Sequence, residues 1–177
     1  MNGRTEVALL GGGCFWCLEA VFLEVRGVTH VESGYTGGTV AAPSYAQVYA
    51  GDTGHAEVVR LEFNPAVISY HDLLEMFFTI HDPTTLNRQG NDVGTQYRSV
   101  IYFQSAEQEK VAHKVIAEMA NVWDAPIVTE LAPAQPYFKA EDEHQRYFER
   151  HPLQSYCACV VAAKLEKFCA MHANRLK

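Results

Sequence analysis

The spacing of apolar residues changes period several times along the chain, and each change marks an element. Thr5-Glu6-Val7-Ala8-Leu9-Leu10 predicts a strand over 5–10. After Gly11-Gly12-Gly13, residues Cys14, Cys17, Leu18, Val21, Phe22 and Val25 recur at helical spacing, which predicts a helix over 14–25. An extended stretch follows from Gly27-Val28 to Tyr35, then a Gly/Pro/Thr loop from Thr36 to Ser44 and a tight turn at Gly51-Asp52-Thr53-Gly54. His55 to Phe63 alternates with period two and stops at Asn64-Pro65. Ser69 reads as the cap of a helix to about Ile80, with Leu73, Leu74, Phe77 and Phe78 on its buried side. The polar run from His81 to Gln96 is too long for a simple connection, which marks it as a functional loop. A strand over Tyr97 to Phe103, a helix from Ser105 to about Val122 and a short strand over Ile127 to Leu131 come next. Helices near 139–150 and 157–173 close the chain.

The first elements spell β-α-β-β-α-β. That order predicts an α/β fold (an α+β sandwich) with a ferredoxin-like split core and extra C-terminal helices. No repeat or linker interrupts residues 1–177, so a single domain is expected, long enough at 48% hydrophobic content to bury a full core. A net charge of −7 argues against nucleic acid or an anionic membrane as partner. No segment approaches the roughly 18 to 20 apolar residues of a membrane span. Met1-Asn2-Gly3-Arg4 lacks the apolar run of a secretory signal, so a cytoplasmic, reducing location is expected. The five cysteines (Cys14, Cys17, Cys157, Cys159 and Cys169) are odd in number and cluster at the two ends. Such usage suits redox thiols better than a disulfide scaffold.

Cys14 stands where a glycine-rich turn opens a helix. Free backbone N–H groups and the positive end of the helix dipole favour an anion there, and the reactive form of cysteine is a thiolate. A Cys14 pKa below the ordinary value of about 8.5 is therefore expected. Glu57 shares its strand face with Val59, Leu61 and Phe63. A carboxyl on that face loses hydration, stays protonated near neutrality and can give its proton to a developing oxyanion. The other reading puts Glu57 at the strand's exposed end, and the pattern alone does not choose. Tyr35, Tyr45, Tyr49 and Tyr97 crowd the neighbouring loops, either as hydroxyl donors or as packing residues. Phe15 and Trp16 likewise line an apolar pocket or pack the helix start. Eight histidines, with His151 near Cys157 and Cys159, raise the question of a metal. No HExxH run or paired CxxC motifs support one, and none is expected.

Gly13-Cys14-Phe15-Trp16, Gly34-Tyr35-Thr36-Gly37-Gly38, Gly51-Asp52-Thr53-Gly54-His55-Ala56-Glu57 and Asn91-Asp92-Val93-Gly94-Thr95-Gln96-Tyr97-Arg98-Ser99 resemble the signature blocks of the peptide methionine sulfoxide reductase A family. The similarity runs in order over about residues 5–150. It implies reduction of methionine-S-sulfoxide, free or in proteins, through a cysteine sulfenic acid, with no cofactor and with thioredoxin or another dithiol as reductant. It also implies Cys14 as nucleophile, Glu57 as acid, hydroxyl donation by Tyr45 and Tyr97, and a supporting role for Asp92. Phe15 and Trp16 would receive the substrate methyl group, and nothing demands more than a monomer. The recycling thiol does not carry over, because many family members have glycine where this chain has Cys17. Cys157, in a turn after His151-Pro152, is the first candidate, Cys17 the next and Cys159 the weakest, with a relay through Cys17 and Cys157 also open. Two further readings stand beside this one. Cys14 and Cys17 could form a thioredoxin-like disulfide oxidoreductase, or Cys157 and Cys159 a redox-sensing or metal-binding module.

Overall fold

The protein is described by a computed structural model over residues 4–177, so the first three residues of the stretch read as lacking a signal lie outside it. Strand β1 (Glu6–Gly11) leads into helix α1 (Phe15–Phe22), then strand β2 (Val28–Thr36), helix α2 (Tyr45–Ala50), strand β3 (Ala56–Phe63) and helix α3 (Tyr70–Ile80). A small hairpin of β4 (Arg88–Gln89) and β5 (Asp92–Val93) precedes β6 (Val100–Phe103), α4 (Ala106–Met119), β7 (Glu130–Pro133) and β8 (Tyr137–Lys139). Helices α5 (Tyr147–Arg150) and α6 (Ala162–Met171) follow.

The main sheet has the order β7-β6-β1-β3-β2-β8. Its inner four strands, β6-β1-β3-β2, are all antiparallel and give the split β-α-β-β-α-β arrangement the sequence predicts. Strand β7 extends one edge in parallel with β6, and β8 extends the other in antiparallel with β2. Apolar side chains from both central strands (Leu10, Val59, Leu61 and Phe63) bury against Leu18, Val21 and Phe22 of α1 and Leu73, Leu74 and Phe77 of α3. Ser69 caps α3 as its position implies, its side chain accepting from the Asp72 N–H at 3.0 Å.

Several elements differ from their sequence patterns. Helix α2 falls at the end of what reads as a loop, and its signal was present: Ser44 and Gln47 form a reciprocal capping box. The helix expected near 139–150 is strand β8, a 3₁₀ turn at Asp142–His144 and the single turn α5. Pairing decides this, since Tyr137 to Lys139 complete the free edge of β2 opposite Thr36 to Gly34. The Gln145 amide locks the next turn by accepting from Ser33 N and donating to Ser33 O. The strand expected over 127–131 forms its ladder at 130–133. The C-terminal helix opens with one π-helical turn over Cys157–Val161 before α6. The strand expected from Tyr97 starts only at Val100, because Thr95–Tyr97 is a 3₁₀ turn.

Candidate active site

Cys14 is the N-cap of α1, with extended backbone (φ −64°, ψ 128°), so it stands just outside the helix that Phe15 begins. Gly13 turns the chain into this position at φ +94°, and a Cβ there would come within 2.8 Å of the Gln89 side chain. Strand β3 passes beneath the helix start and presents Glu57, which is 1% exposed. The Glu57 Oε1 accepts the Phe15 N–H at 3.1 Å. Of the two readings of this residue, the buried one holds. Burial pushes its carboxyl up to about 8, the Phe15 N–H works the other way, and the charges of Asp92 and Cys17 add to the rise.

The Phe15 N–H at the helix start goes to the carboxylate, which leaves the thiol only the Trp16 N–H. This overturns the expectation of a lowered Cys14 pKa. Burial pushes the Cys14 thiol well up, and its hydrogen bond to Cys17 and the Glu57 charge push the same way, against the Trp16 N–H alone. Cys17 moves the opposite way, held below its ordinary value by the Cys14 thiol against the cost of burial. At this helix start desolvation outweighs the dipole.

Around Cys14 a cavity of about 280 Å³ is lined by Trp16, Tyr45, Asp92, Tyr97 and Tyr156. The Tyr45 and Tyr97 hydroxyls have no hydrogen-bond partner among the described residues, and burial keeps both firmly protonated. Tyr35 differs, because its hydroxyl donates to Glu141 Oε1 at 3.0 Å. The other Glu141 oxygen accepts from Tyr45 N at 2.9 Å and fixes the start of α2. Burial disfavours the Glu141 charge, but these hydrogen bonds prevail and its pKa falls. Trp16 lines the cavity, whereas Phe15 is fully buried and backs the wall by stacking on Tyr45 at 6.3 Å. The expected pair of lining aromatics is thus one lining residue and one support.

Of the thiols, Cys14, Cys17 and Cys157 share one apolar cluster with Ala20 and Val161. Cys159 is exposed and Cys169 lies apart on α6, and all five are free. Sequence reasoning missed the residues of the C-terminal half that close the site. Tyr147 stacks on Trp16 at 3.8 Å with an interplanar angle of 6°. The His144 Nδ1 accepts from the Trp16 indole at 3.3 Å. Glu19, buried on α1, accepts from Tyr147 N at 3.2 Å and so holds that ring in place. None of these had a local signal; only the fold brings 144–156 onto residues 14–19.

The buried histidines His55 and His81 are held in structural hydrogen bonds. His55 Nδ1 accepts from Gly38 N at 3.0 Å, and buried His81, lowered to about 4 by desolvation, bonds Phe77 O and Ser99 Oγ. Two groups of acidic and histidine side chains converge, His71 with Glu75 and Glu118, and Glu141 with Glu143 and His144. Glu141 and His144 are already engaged by Tyr35, Tyr45 and Trp16. No such group among the described residues includes a cysteine.

The raised Glu57 pKa has a measurable consequence for stability. Its folded value of about 8 lies above the ordinary 4.5, so the folded protein holds a proton there that the unfolded chain gives up. That contribution is complete below about 4.5 and is lost as pH rises through 8. The thermal midpoint of wild type should fall more steeply between pH 6 and 9 than that of Glu57→Gln. Parallel curves would contradict a buried neutral Glu57.

Two neighbouring buried thiols and a protonated carboxyl at one helix start, beside a cavity with two free hydroxyls on a ferredoxin-like sandwich, define a thiol-based oxidoreductase. Residues 6–176 match the family model for peptide methionine sulfoxide reductase. A relative named peptide methionine sulfoxide reductase MsrA from Ralstonia nicotianae is 57% identical, covering 97% of this chain and 93% of its own. The crystal structure of Mxr1 from Saccharomyces cerevisiae in reduced form superposes with a TM-score of 0.83 at 34% identity, covering 89% of this chain and 91% of its own. Mxr1 in complex with Trx2 gives a TM-score of 0.60 at 25% identity, over 83% of this chain and 87% of that one. The chain belongs to the peptide methionine sulfoxide reductase family.

Proposed function

We propose that the protein reduces methionine-S-sulfoxide, free or within proteins, with Cys14 as nucleophile and Glu57 as acid. The observation that carries this reading is the protonated, buried Glu57 at the helix start beside Cys14, where Cys14 lines a cavity with two unpartnered tyrosine hydroxyls. The Cys14 Sγ attacks the sulfoxide sulfur while Glu57 gives its proton to the sulfoxide oxygen, and the Cys14 thiol proton replaces it. The Tyr45 and Tyr97 hydroxyls hold that oxygen. Oxygen passes to Cys14 as the hydroxyl of a sulfenic acid, and methionine leaves. The substrate sulfur is reduced by two electrons and the cysteine sulfur is oxidised by two. The ring of Trp16, clamped by Tyr147 and His144, offers an apolar wall for the substrate methyl group.

Recycling begins at Cys17. It shares the apolar cluster of Cys14, and Cys14 as an N-cap is free of the helical geometry that would hold two neighbours apart. Cys157 follows by thiol–disulfide exchange, since it lies in the same cluster and its thiol feels the Cys17 charge. This reading puts Cys17 ahead of Cys157, the other way round from the order expected from sequence, and uses the relay through both. An external dithiol then reduces the last disulfide, with no cofactor in the cycle. The solved complex of Mxr1 with Trx2 supports a thioredoxin in that role. Five free cysteines suit a reducing cytoplasm.

Supplied with racemic methionine sulfoxide and a dithiol, the protein should consume half of the substrate and stop. Cys14→Ser should consume none. Complete consumption of both isomers, or activity in Cys14→Ser, would overturn the reading.

A further inference from the structure

Cys17 is 1% exposed, enclosed by Ala20, Cys157 and Val161 in an apolar cluster. A thiol that attacks from such a place must pass its proton to a protein group. The Tyr156 oxygen lies 3.9 Å from the Cys17 Sγ. The Tyr156 hydroxyl itself donates to Asp92 Oδ2 at 2.6 Å, so its hydrogen is committed and its lone pairs are left for Cys17. With Cys14 in the same cluster on the other side, a chain of contacts runs from Cys17 through Tyr156 to Asp92. The half-buried Asp92 lines the cavity, where a proton can leave. The other groups that face Cys17 are Cys157, Glu57 and Lys164. Cys157 is itself buried, Glu57 is already protonated, and Lys164 offers donors and no acceptor.

We propose that Tyr156 is a catalytic residue of the recycling step, carrying the Cys17 thiol proton to Asp92 as Cys17 attacks the oxidised Cys14. This inference rests on Cys17 being the resolving thiol. In the step, the Cys17 Sγ–Cys14 Sγ bond forms and the Cys14 S–O bond breaks. Cys17 is oxidised and Cys14 reduced, both to the disulfide level. The departing hydroxide takes the Glu57 proton and leaves as water. The Cys17 proton moves to the Tyr156 oxygen while the Tyr156 proton moves to Asp92. Asp92 then releases its proton through the cavity and Glu57 regains one, so the net reaction is sulfenic acid plus thiol to disulfide plus water.

Tyr156→Phe removes the hydroxyl and keeps the ring that meets the edge of Trp16 at 6.1 Å. In rapid-mixing single turnovers with methionine sulfoxide, methionine release and loss of trappable sulfenic acid are followed separately. Disulfide formation should slow by roughly 10² more than methionine release. The residual rate should climb with pH as hydroxide takes over deprotonation. Equal slowing of both steps would reduce Tyr156 to packing and overturn the proposal, as would disulfide formation at the wild-type rate. Wild type supplies a test that needs no variant. Its disulfide step should slow in deuterium oxide with a curved proton inventory, and the absence of a solvent isotope effect there would overturn the path. Mass mapping of the first disulfide separates this from the reading beneath it. A Cys14–Cys157 bond with no Cys14–Cys17 bond removes Cys17 as resolver and Tyr156 with it. A Cys14–Cys17 bond formed at the wild-type rate in Tyr156→Phe removes the proton path alone.

Discussion

Glu57→Gln is expected to lower the single-turnover rate of sulfoxide reduction by about 10² to 10⁴, the usual cost of losing one acid catalyst. The substitution is close to surgical. A glutamine carbonyl can still accept the Phe15 N–H, so the helix start and the position of Cys14 are preserved. What disappears is the proton that burial keeps on the carboxyl up to about pH 8. In wild type the same titration should appear as a falling alkaline limb of the single-turnover rate near that pH, and the variant should lack it. Alkylation of Cys14 and its exchange with a small disulfide need no acid and should change little. Methionine formation at near wild-type rate in Glu57→Gln would show that the tyrosine hydroxyls suffice, and would strip Glu57 of its role.

Cys17→Ser should still release one equivalent of methionine and then stall, with thioredoxin-supported turnover reduced by at least about 10². The size follows from the loss of an adjacent thiol. Well-placed intramolecular groups act at effective molarities on the order of 10⁵ M or more, which a dissolved dithiol cannot match. Serine keeps a hydroxyl in the small buried space beside Cys14, so packing changes little. Cys157→Ser should still form the Cys14–Cys17 disulfide, and should lose turnover with thioredoxin more than turnover with a small dithiol. Undiminished thioredoxin-supported turnover in Cys17→Ser would transfer the resolving role to Cys157 directly. The two substitutions share a cluster, so the double variant tests their coupling and not a sum of independent effects.

The chain's own pattern determined the β-α-β-β-α-β core, because periodicity records which side of each element faces the interior, and burial is what that core is made of. The same pattern marked Cys14, at a glycine-rich helix start, and placed Glu57 on the apolar face of its strand. Local capping chemistry was also there to be read, as Ser44 and Gln47 show. Three things were settled only in three dimensions. The first is the ionisation of the thiols. The sequence shows a helix start that favours an anion, but the fold gives the Phe15 N–H to Glu57 and buries Cys14, so desolvation reverses the expected direction. The second is the segment from Tyr137 to Tyr156. Its apolar residues do not state their partners, and the open edge of β2 and the exposed face of Trp16 turned an expected helix into a strand, a turn and a clamp. The third is the meeting of Cys17, Tyr156 and Asp92, drawn from three distant parts of the chain. Period and spacing describe a residue's relation to its own element, whereas a proton path depends on which elements touch. That choice is made by packing the whole sheet and its helices at once.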